Sequence, residues 1–426
     1  MHVQESTNGK YARLLLLVGT LVFGGCGNGF NLLDGDPSRP TLNLSTLGLD
    51  TSSTYFETYE NDLFEEAEIV ELGAESRVIR GDINGSSDVD IYDLGPMPSG
   101  TRVVVDMTSA DTLDGVIALF DETDASLLVN DHRNVYLGRS EPFVDVVIRR
   151  DSEACYVAIS ATPGYSATGD YALVASKEYP VSLPDPRPDV VLLVFDGGSN
   201  VRIGSRTPID VPVFDASNVS SVYAGQTNAM VRQIVAGVRE DYEGLDVTIL
   251  STSEGAEYDN GMTRMFFGTF DAALLGVAEN VDEFNETSAQ EAIVFTDTFA
   301  AFMQLNPTVE QMGQAIANVA SHEIGHLLGL VHTDDPTAIM DITASLSQLL
   351  TDQEFRSAPL YSAVFPIGNQ DALQSLLDTV GGDAVLMLQR RLKSDYTTLK
   401  HSLKTNEPKA RELFYFSTCD LHEHTQ

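Results

Sequence analysis

The chain has 426 residues, 43% hydrophobic and 21% charged, which is enough for two or three domains that each bury a core. Lys and Arg number 25 against 63 Asp and Glu, so the formal net charge is −38. This charge opposes general binding to nucleic acid or to anionic lipid headgroups, and we expect no nucleic-acid partner. The three cysteines are too few for a disulfide framework.

Residues 1–25 predict an export signal. Two basic residues precede the apolar run from Leu14 to Phe23, which has the length of a secretory signal core and is too short to span a bilayer. Two glycines and then Cys26 end the run, and this ending resembles the lipobox of bacterial lipoproteins, in which the cysteine is lipidated. The resemblance implies an extracytoplasmic protein that is lipid-anchored at Cys26 to a bacterial membrane. An ordinary signal peptide or an uncleaved anchor are the alternatives.

The next two segments predict a tether and a β-domain. Residues 26–65 are rich in Gly, Asn, Ser, Thr and Asp, as is typical of a tether. Residues 66–178 carry short apolar segments separated by turns, without a helical period, which predicts an antiparallel β-sandwich. Cys155 alternates with apolar neighbours, so we expect a buried free thiol there, although a disulfide with Cys419 is an alternative.

The run from Gly81 to Leu94, followed by Leu113 to Asp121, resembles the pre-peptidase C-terminal domain of secreted bacterial peptidases. Its acidic loops would offer Ca²⁺ carboxylate oxygens, and loop carboxylates that are merely solvated are the alternative interpretation. The acidic residues concerned are Asp88, Asp90, Asp93, Asp111, Asp114, Asp121 and Asp124.

Residues 179–188 contain four prolines and predict a stiff, extended linker. Beyond it, strand and helix patterns alternate, which predicts an α/β (α+β) domain over residues 189–382 and a helical, solvated tail over 383–426. The predicted strands are Val190–Phe195, Asp246–Leu250, Met265–Phe270 and Ala292–Phe295, and the predicted helices are Ala229–Tyr242 and Val309–Leu328. Thr308 and Gln311 fit a capping box at the start of the second helix. The predicted fold class is therefore multidomain, with a β-sandwich followed by an α/β domain that has a helical C-terminal part.

The second predicted helix carries two histidines at a metal-ligand spacing. His322 and His326 are four residues apart and so share one face of the helix, where they can bind one ion. Gly329 can adopt a positive φ that ends the helix and turns the chain, which would bring His332 to the same ion. Three neutral imidazoles would leave one position on Zn²⁺ open to water, as in catalytic rather than structural zinc sites.

Glu323 directly follows the first of these histidines and is the expected general base. Zinc would lower the pKa of water toward about 7, and Glu323 would take the proton and pass it to the departing amine. Peptide-bond hydrolysis is the reaction that this arrangement suits.

The pattern His322-Glu323-x-x-His326-x-x-Gly329-x-x-His332 resembles the zinc signature of the metzincin metallopeptidases. The segment from Ala338 to Asp341 resembles their Met-turn. The resemblance implies a metzincin-like catalytic domain that acts on protein or peptide substrates.

The same resemblance implies that Met340 forms an apolar floor beneath the imidazoles and does not bind the metal. Thr333 follows the third histidine, as in pappalysin-like sequences, while Ile342 stands where astacins and serralysins carry a tyrosine that faces the metal. Metzincin substrates lie extended along an edge strand, for which Met265–Phe270 and Ala292–Phe295 are the two candidates.

The sequence thus predicts a membrane-anchored, extracytoplasmic zinc endopeptidase. One alternative is a non-catalytic surface-binding lipoprotein with a structural zinc site, and another is an amidohydrolase that acts on cell-wall peptides. Glu323 favours an enzyme, because a structural site needs no base beside an open coordination position.

Overall fold

The computed structural model describes residues 54–58, 61–109, 113–131, 141–163, 168–390 and 392. The predicted signal, Cys26, most of the tether, Asp111 and most of the tail with Cys419 lie outside these residues. No helix in the described ranges is both long and apolar enough to cross a bilayer.

The first part of the described chain is a sandwich of two five-stranded sheets around one apolar core. Its strands are β1 Thr54–Phe56, β2 Glu68–Ile69, β3 Arg77–Ile83, β4 Val89–Asp93, β5 Thr101–Ser109, β6 Gly115–Asp121, β7 Ser126–Asn130, β8 Phe143–Ile148, β9 Cys155–Ala161 and β10 Gly169–Glu178. The strand orders are β1-β3-β10-β5-β8 in the first sheet and β2-β4-β9-β6-β7 in the second. We call these two sheets the sandwich.

The sandwich departs from the sequence prediction at its edges. Strand β1 pairs parallel with β3, and β2 pairs parallel with β4, so the sheets are not purely antiparallel. Strand β1 also lies within the predicted tether, so the first sheet starts before residue 66. Segments of two or three residues show no alternation of apolar and polar positions, so the sequence alone cannot reveal their pairing.

Cys155 lies in the core of the sandwich, as predicted, and is a free thiol. Burial raises the pKa of this thiol to about 12, so it stays protonated at neutral pH and has little nucleophilic character.

The second part of the described chain, the α/β region, is built on a third sheet in the order β14-β11-β15-β17-β16. Its strands are β11 Asp189–Val194, β12 Gly198–Val201, β13 Ile209–Val211, β14 Val247–Ser251, β15 Thr263–Phe267, β16 Gly276–Ala278, β17 Glu291–Val294, β18 Ser357–Pro359 and β19 Asn369–Asp371. Its α-helices are α1 Ala216–Val219, α2 Thr227–Asp241, α3 Val309–Leu327, α4 Leu346–Leu349 and α5 Ala372–Val380. Short 3-10 helices span Phe64–Glu66 in the sandwich and Ser221–Tyr223, Thr252–Glu254, Glu283–Asn285 and Thr296–Leu305 in the α/β region.

The predicted strands and long helices of this region lie within a few residues of the observed ones. The capping box of α3 is also confirmed, because Thr308 Oγ1 accepts from the Gln311 amide and Gln311 Oε1 accepts from the Thr308 amide. Helices α2 and α3 share one large apolar core with the sheet. The chain as a whole is mixed α/β.

The predicted substrate edge is wrong. Strands β15 and β17, the two candidates, lie inside the sheet, and the edge next to β17 is the antiparallel strand β16. Strand β16 has only three residues, all buried, so neither alternation nor length marks it in the sequence.

A hairpin that we call the bridging hairpin, residues 357–371 with β18 and β19, joins the α/β region to the sandwich. Its apolar residues Leu360, Val364 and Phe365 pack on the outer face of the second sheet. The Phe365 ring lies 5.7 Å from the Phe120 ring, and the Asn369 amide donates to the carbonyl of Asp124. The two parts of the described chain therefore share an apolar interface.

The start of the predicted solvated tail packs on the α/β region. The Asp383 amide donates to the Gly244 carbonyl, and Met387 is buried in the apolar core. Met387 lies five residues beyond the predicted end of the α/β domain, so this domain extends past residue 382.

Candidate metal centre

The structure brings the three predicted histidines together. Helix α3 carries His322 and His326 and ends at Leu327, and Gly329 has a φ of 92°, the positive value expected where the chain turns back. The Nε2 atom of His326 lies 3.1 Å from Nε2 of His322 and 3.1 Å from Nε2 of His332. In the described part of the chain, this is the one group of three or more His, Cys, Asp or Glu side chains whose ligand atoms converge as a metal site requires.

Two hydrogen bonds fix which nitrogens face the centre of the cluster. Nδ1 of His322 lies 2.7 Å from the Ile339 carbonyl oxygen, and Nδ1 of His326 lies 2.7 Å from the Leu330 carbonyl oxygen. Because a carbonyl only accepts, each Nδ1 carries the proton, and each Nε2 presents a lone pair. Hydrogen bonds from the second ring nitrogen to a carbonyl are the kind that orient metal-binding histidines.

The cluster fits a bound zinc ion. Nε2 of His322 and Nε2 of His326 both present lone pairs, which repel one another at 3.1 Å unless a cation lies between them. Nitrogen ligands arranged tetrahedrally around zinc at its usual bond length are about 3.3 Å apart, close to the observed separation. His322, His326 and His332 would therefore hold Zn²⁺ without rearrangement.

All three imidazoles are buried, and burial keeps them neutral. It lowers the pKa of His322 to about 4 and lowers the pKa values of His326 and His332 as well. Neutral imidazole is the form that binds a metal.

The segment after the third histidine packs under the helix. A Cβ built on Gly325 would lie 2.7 Å from Sδ of Met340, so the methionine and the helix backbone are in close contact. The Met340 carbonyl accepts from the Thr333 amide, next to His332. Met340 is buried against the helix that carries His322 and His326, and its role as an apolar floor beneath the imidazoles stays a prediction.

Glu323 is fully buried and lies against the edge strand β16. A Cβ built on Gly276, the first residue of that strand, would overlap the Glu323 carboxylate. Only a residue without a side chain leaves room for the carboxylate in this position. Sequence reasoning missed Gly276, because nothing in its neighbours marks it as close to Glu323.

The outer side of β16 presents backbone groups at the sheet edge. The Phe295 amide donates to the Leu275 carbonyl, and the Glu279 amide donates to the Glu291 carbonyl. Hydrogen-bonding direction alternates along an antiparallel pair, so the N–H and C=O groups of Gly276 and Ala278 face away from β17. No strand of the third sheet pairs with this side of β16.

Among the described residues, the acidic side chains predicted to bind Ca²⁺ form no group whose ligand atoms converge as those of the histidines do. In one of these loops, Oδ1 of Asp121 accepts from the Thr123 amide, the Thr123 hydroxyl and the Ala125 amide, which closes a turn of the sandwich. The structure thus gives the Ca²⁺ prediction no support.

We expect the metal-free protein to lose stability as the pH falls from about 6.5 toward 4. Burial lowers the pKa of His322 in the folded chain to about 4, so over this range the unfolded chain binds a proton that the folded chain does not. The contribution of His322 is therefore fully present above the unfolded pKa and is lost as the pH falls. Thermal unfolding of the metal-free wild type and of His322→Leu across this range measures the effect.

The variant isolates the histidine from the acidic residues that titrate in the same range. His322→Leu should gain in melting temperature relative to the wild type as the pH falls. A difference between the two proteins that does not change with pH would contradict this interpretation.

Residues 155–355 match the family model described as Peptidase_M10, Matrixin. The matched range is just under half of the chain and includes the three histidines, Glu323, Gly276 and Met340. The match supports a metzincin-like zinc peptidase. No curated protein matches the chain.

Solved structures similar to parts of the chain include archaemetzincin from Methanopyrus kandleri, with 14% identity, 40% of this chain and 90% of that chain covered, and a TM-score of 0.23. The pre-peptidase C-terminal domain of a Bacillus anthracis collagenase has 14% identity, covers 26% of this chain and 94% of its own, and has a TM-score of 0.21. A periplasmic inhibitor of g-type lysozyme from Aeromonas hydrophila has 12% identity, 30% and 96% coverage and a TM-score of 0.21.

Proposed function

We propose that this chain is a zinc-dependent endopeptidase in which Glu323 is the general base. The observation that carries the proposal is the convergence of three imidazole Nε2 atoms, next along the helix to a buried carboxylate that lies against the edge strand of a sheet. The matrixin match over the same residues supports it. Zinc, when bound by His322, His326 and His332, supplies a Lewis acid that acidifies water and polarises a peptide carbonyl.

The chain's own residues supply the proton transfer. Glu323 follows the first ligand on the same helix, and the absence of a side chain at Gly276 leaves its carboxylate in place. A carboxylate in this position takes a proton from the attacking water and returns it to the departing amine. His322 and His326 are held in one tautomer by backbone carbonyls, so their rings need no reorganisation.

The edge strand β16 would bind the substrate. The outward N–H and C=O groups of Gly276 and Ala278 can pair with an extended peptide, which then lies beside Glu323. Pairing through the backbone requires no free chain end, so it favours cleavage inside a polypeptide.

The extracytoplasmic, lipid-anchored location rests on residues 1–26 and stays a prediction. The pappalysin-like feature, Thr333 after the third histidine, also stays a prediction about the subfamily.

We expect the purified protein to cleave a denatured protein substrate, to stop after treatment with a chelator, and to recover when zinc is added back. Removal of the metal takes away the Lewis acid, so the loss should be essentially complete. Mass spectrometry of the products would show internal cleavage sites.

Two outcomes would replace the proposal. A wild type that binds zinc but cleaves nothing across a broad peptide library would indicate the non-catalytic binding protein with a structural zinc. Activity restricted to cell-wall peptides would indicate the amidohydrolase.

A further inference from the structure

The third histidine is held differently from the other two. The rings of His322 and His326 each donate to a backbone carbonyl, whereas Nδ1 of His332 is buried and has no hydrogen-bond partner among the described residues. Hydrogen bonds of this kind normally orient a metal-binding imidazole. The position of His332 must therefore be set by its backbone and by packing.

Gln370 forms two hydrogen bonds with the backbone of Val331, the residue before His332. Its Oε1 accepts from the Val331 amide at 2.8 Å, and its Nε2 donates to the Val331 carbonyl at 2.9 Å. Both hydrogen bonds join residues that are 39 positions apart. The side chain is buried, so water does not compete for these bonds. A single amide thereby fixes both backbone groups of the residue before the third histidine.

The element that carries Gln370 also holds His332 directly. The Tyr361 amide, in the bridging hairpin, donates to the His332 carbonyl at 3.0 Å. Gln370 lies in β19 of the same hairpin. The bridging hairpin therefore forms hydrogen bonds to the backbone of both Val331 and His332.

The bridging hairpin is in turn seated on the sandwich. Beside Gln370, the Asn369 amide donates to the Asp124 carbonyl at 2.9 Å. Farther along the hairpin, Phe365 packs on Phe120 of the second sheet. A continuous set of contacts therefore runs from the sandwich through the hairpin to the third histidine.

We propose that Gln370 is a positioning residue for His332. The sandwich holds the bridging hairpin in place and so contributes to the geometry of the metal centre. The inference rests on the proposed function only in taking the histidine cluster to bind zinc. The side-chain amide of Gln370 fixes the backbone before His332, and this compensates for the hydrogen bond that the His332 ring lacks.

The test is zinc affinity, measured by competition with a chromogenic chelator, in the full chain carrying Gln370→Met. Methionine keeps the length of the side chain and removes both hydrogen bonds to Val331. Loss of a residue that holds a metal ligand in position typically weakens metal binding by about 10- to 100-fold, and we expect a loss in this range. The visible spectrum of the cobalt-substituted protein should also change, because the third ligand moves.

Asn61→Leu is the matched control. Asn61 is a buried amide in the sandwich that donates to the Ile91 carbonyl, so this variant also loses a buried amide hydrogen bond. We expect its zinc affinity and cobalt spectrum to match those of the wild type. A purely structural role of Gln370 would lower the unfolding temperature of both variants without changing either metal readout.

Phe120→Leu tests the part played by the sandwich. It removes the ring contact with Phe365 without changing any residue of the hairpin itself. We expect several-fold weaker zinc binding. This variant also carries the test if Gln370→Met does not fold.

Wild-type zinc affinity and an unchanged cobalt spectrum in Gln370→Met would overturn the proposal, and the same result in Phe120→Leu alone would overturn the role of the sandwich. Both readouts are independent of peptide cleavage. A wild type that binds zinc but cleaves nothing would therefore reject the proposed function and leave this inference standing.

Discussion

Glu323→Gln should lower peptide hydrolysis by about 10²- to 10⁴-fold, the range that a positioned general base contributes. Glutamine has nearly the shape of glutamate and fits the space beside Gly276, but it cannot take a proton from water. The three histidines are unchanged, so zinc should bind with wild-type stoichiometry. Steady-state cleavage of a fluorogenic peptide, with metal content measured on the same sample, gives both quantities.

His326→Ala is the contrasting variant. It removes the histidine whose Nε2 lies next to both others, so metal and activity should be lost together. A Glu323→Gln protein that keeps nearly full activity with zinc bound would reject Glu323 as the base. A Glu323→Gln protein that has lost its zinc would show that the carboxylate supports the metal.

The histidine cluster could be predicted from the sequence because its geometry is local. A four-residue spacing on a helix and a glycine at the turn fix where His322, His326 and His332 must go. The long helices and central strands were predictable for the same reason, since each carries its own hydrophobic period or its own cap. Local sequence therefore specified the histidine cluster and the elements that carry it.

What the sequence did not reveal depends on contacts between distant segments. Strand β16 has too few residues to show a period, and its identity as the edge exists only once β17 has paired with it. Gln370 acts across 39 residues, and a lone glutamine in a polar stretch gives no sign of its partner. The role of β16 as the edge strand and the role of Gln370 are both set by contacts with residues that are distant in sequence.

The linker shows the same limit. Residues 181–188 form no helix or strand, in keeping with the four prolines of residues 179–188, yet Arg149 donates to the Pro184 carbonyl and the Arg187 amide donates to the Thr379 carbonyl. The linker, whose sequence is typical of a spacer, is thus hydrogen-bonded both to the sandwich and to helix α5. Composition predicts that such a segment forms no helix or strand, but it does not predict which contacts the segment makes.

Gly276→Ala should lower kcat/KM by about 10²-fold, with zinc still bound. The new methyl group would overlap the Glu323 carboxylate and displace it, and a displacement of about 1 Å in a catalytic group can cost this much. The backbone of Gly276 is not in the positive-φ region, so alanine can adopt it without strain. The side chain of a strand residue projects from the face of the sheet and not from its edge, so the pairing of β16 with a substrate should survive.

A double-mutant cycle separates displacement of the base from any other effect. If Gly276→Ala acts through Glu323, it should cost almost nothing in a Glu323→Gln background, because the base that it displaces is already absent. An equal loss in both backgrounds would mean that the methyl group disturbs substrate binding instead. Gly85→Ala is the control for a glycine substitution as such, because a Cβ at residue 85 meets no atom within 4 Å. The activity of this variant should equal that of the wild type.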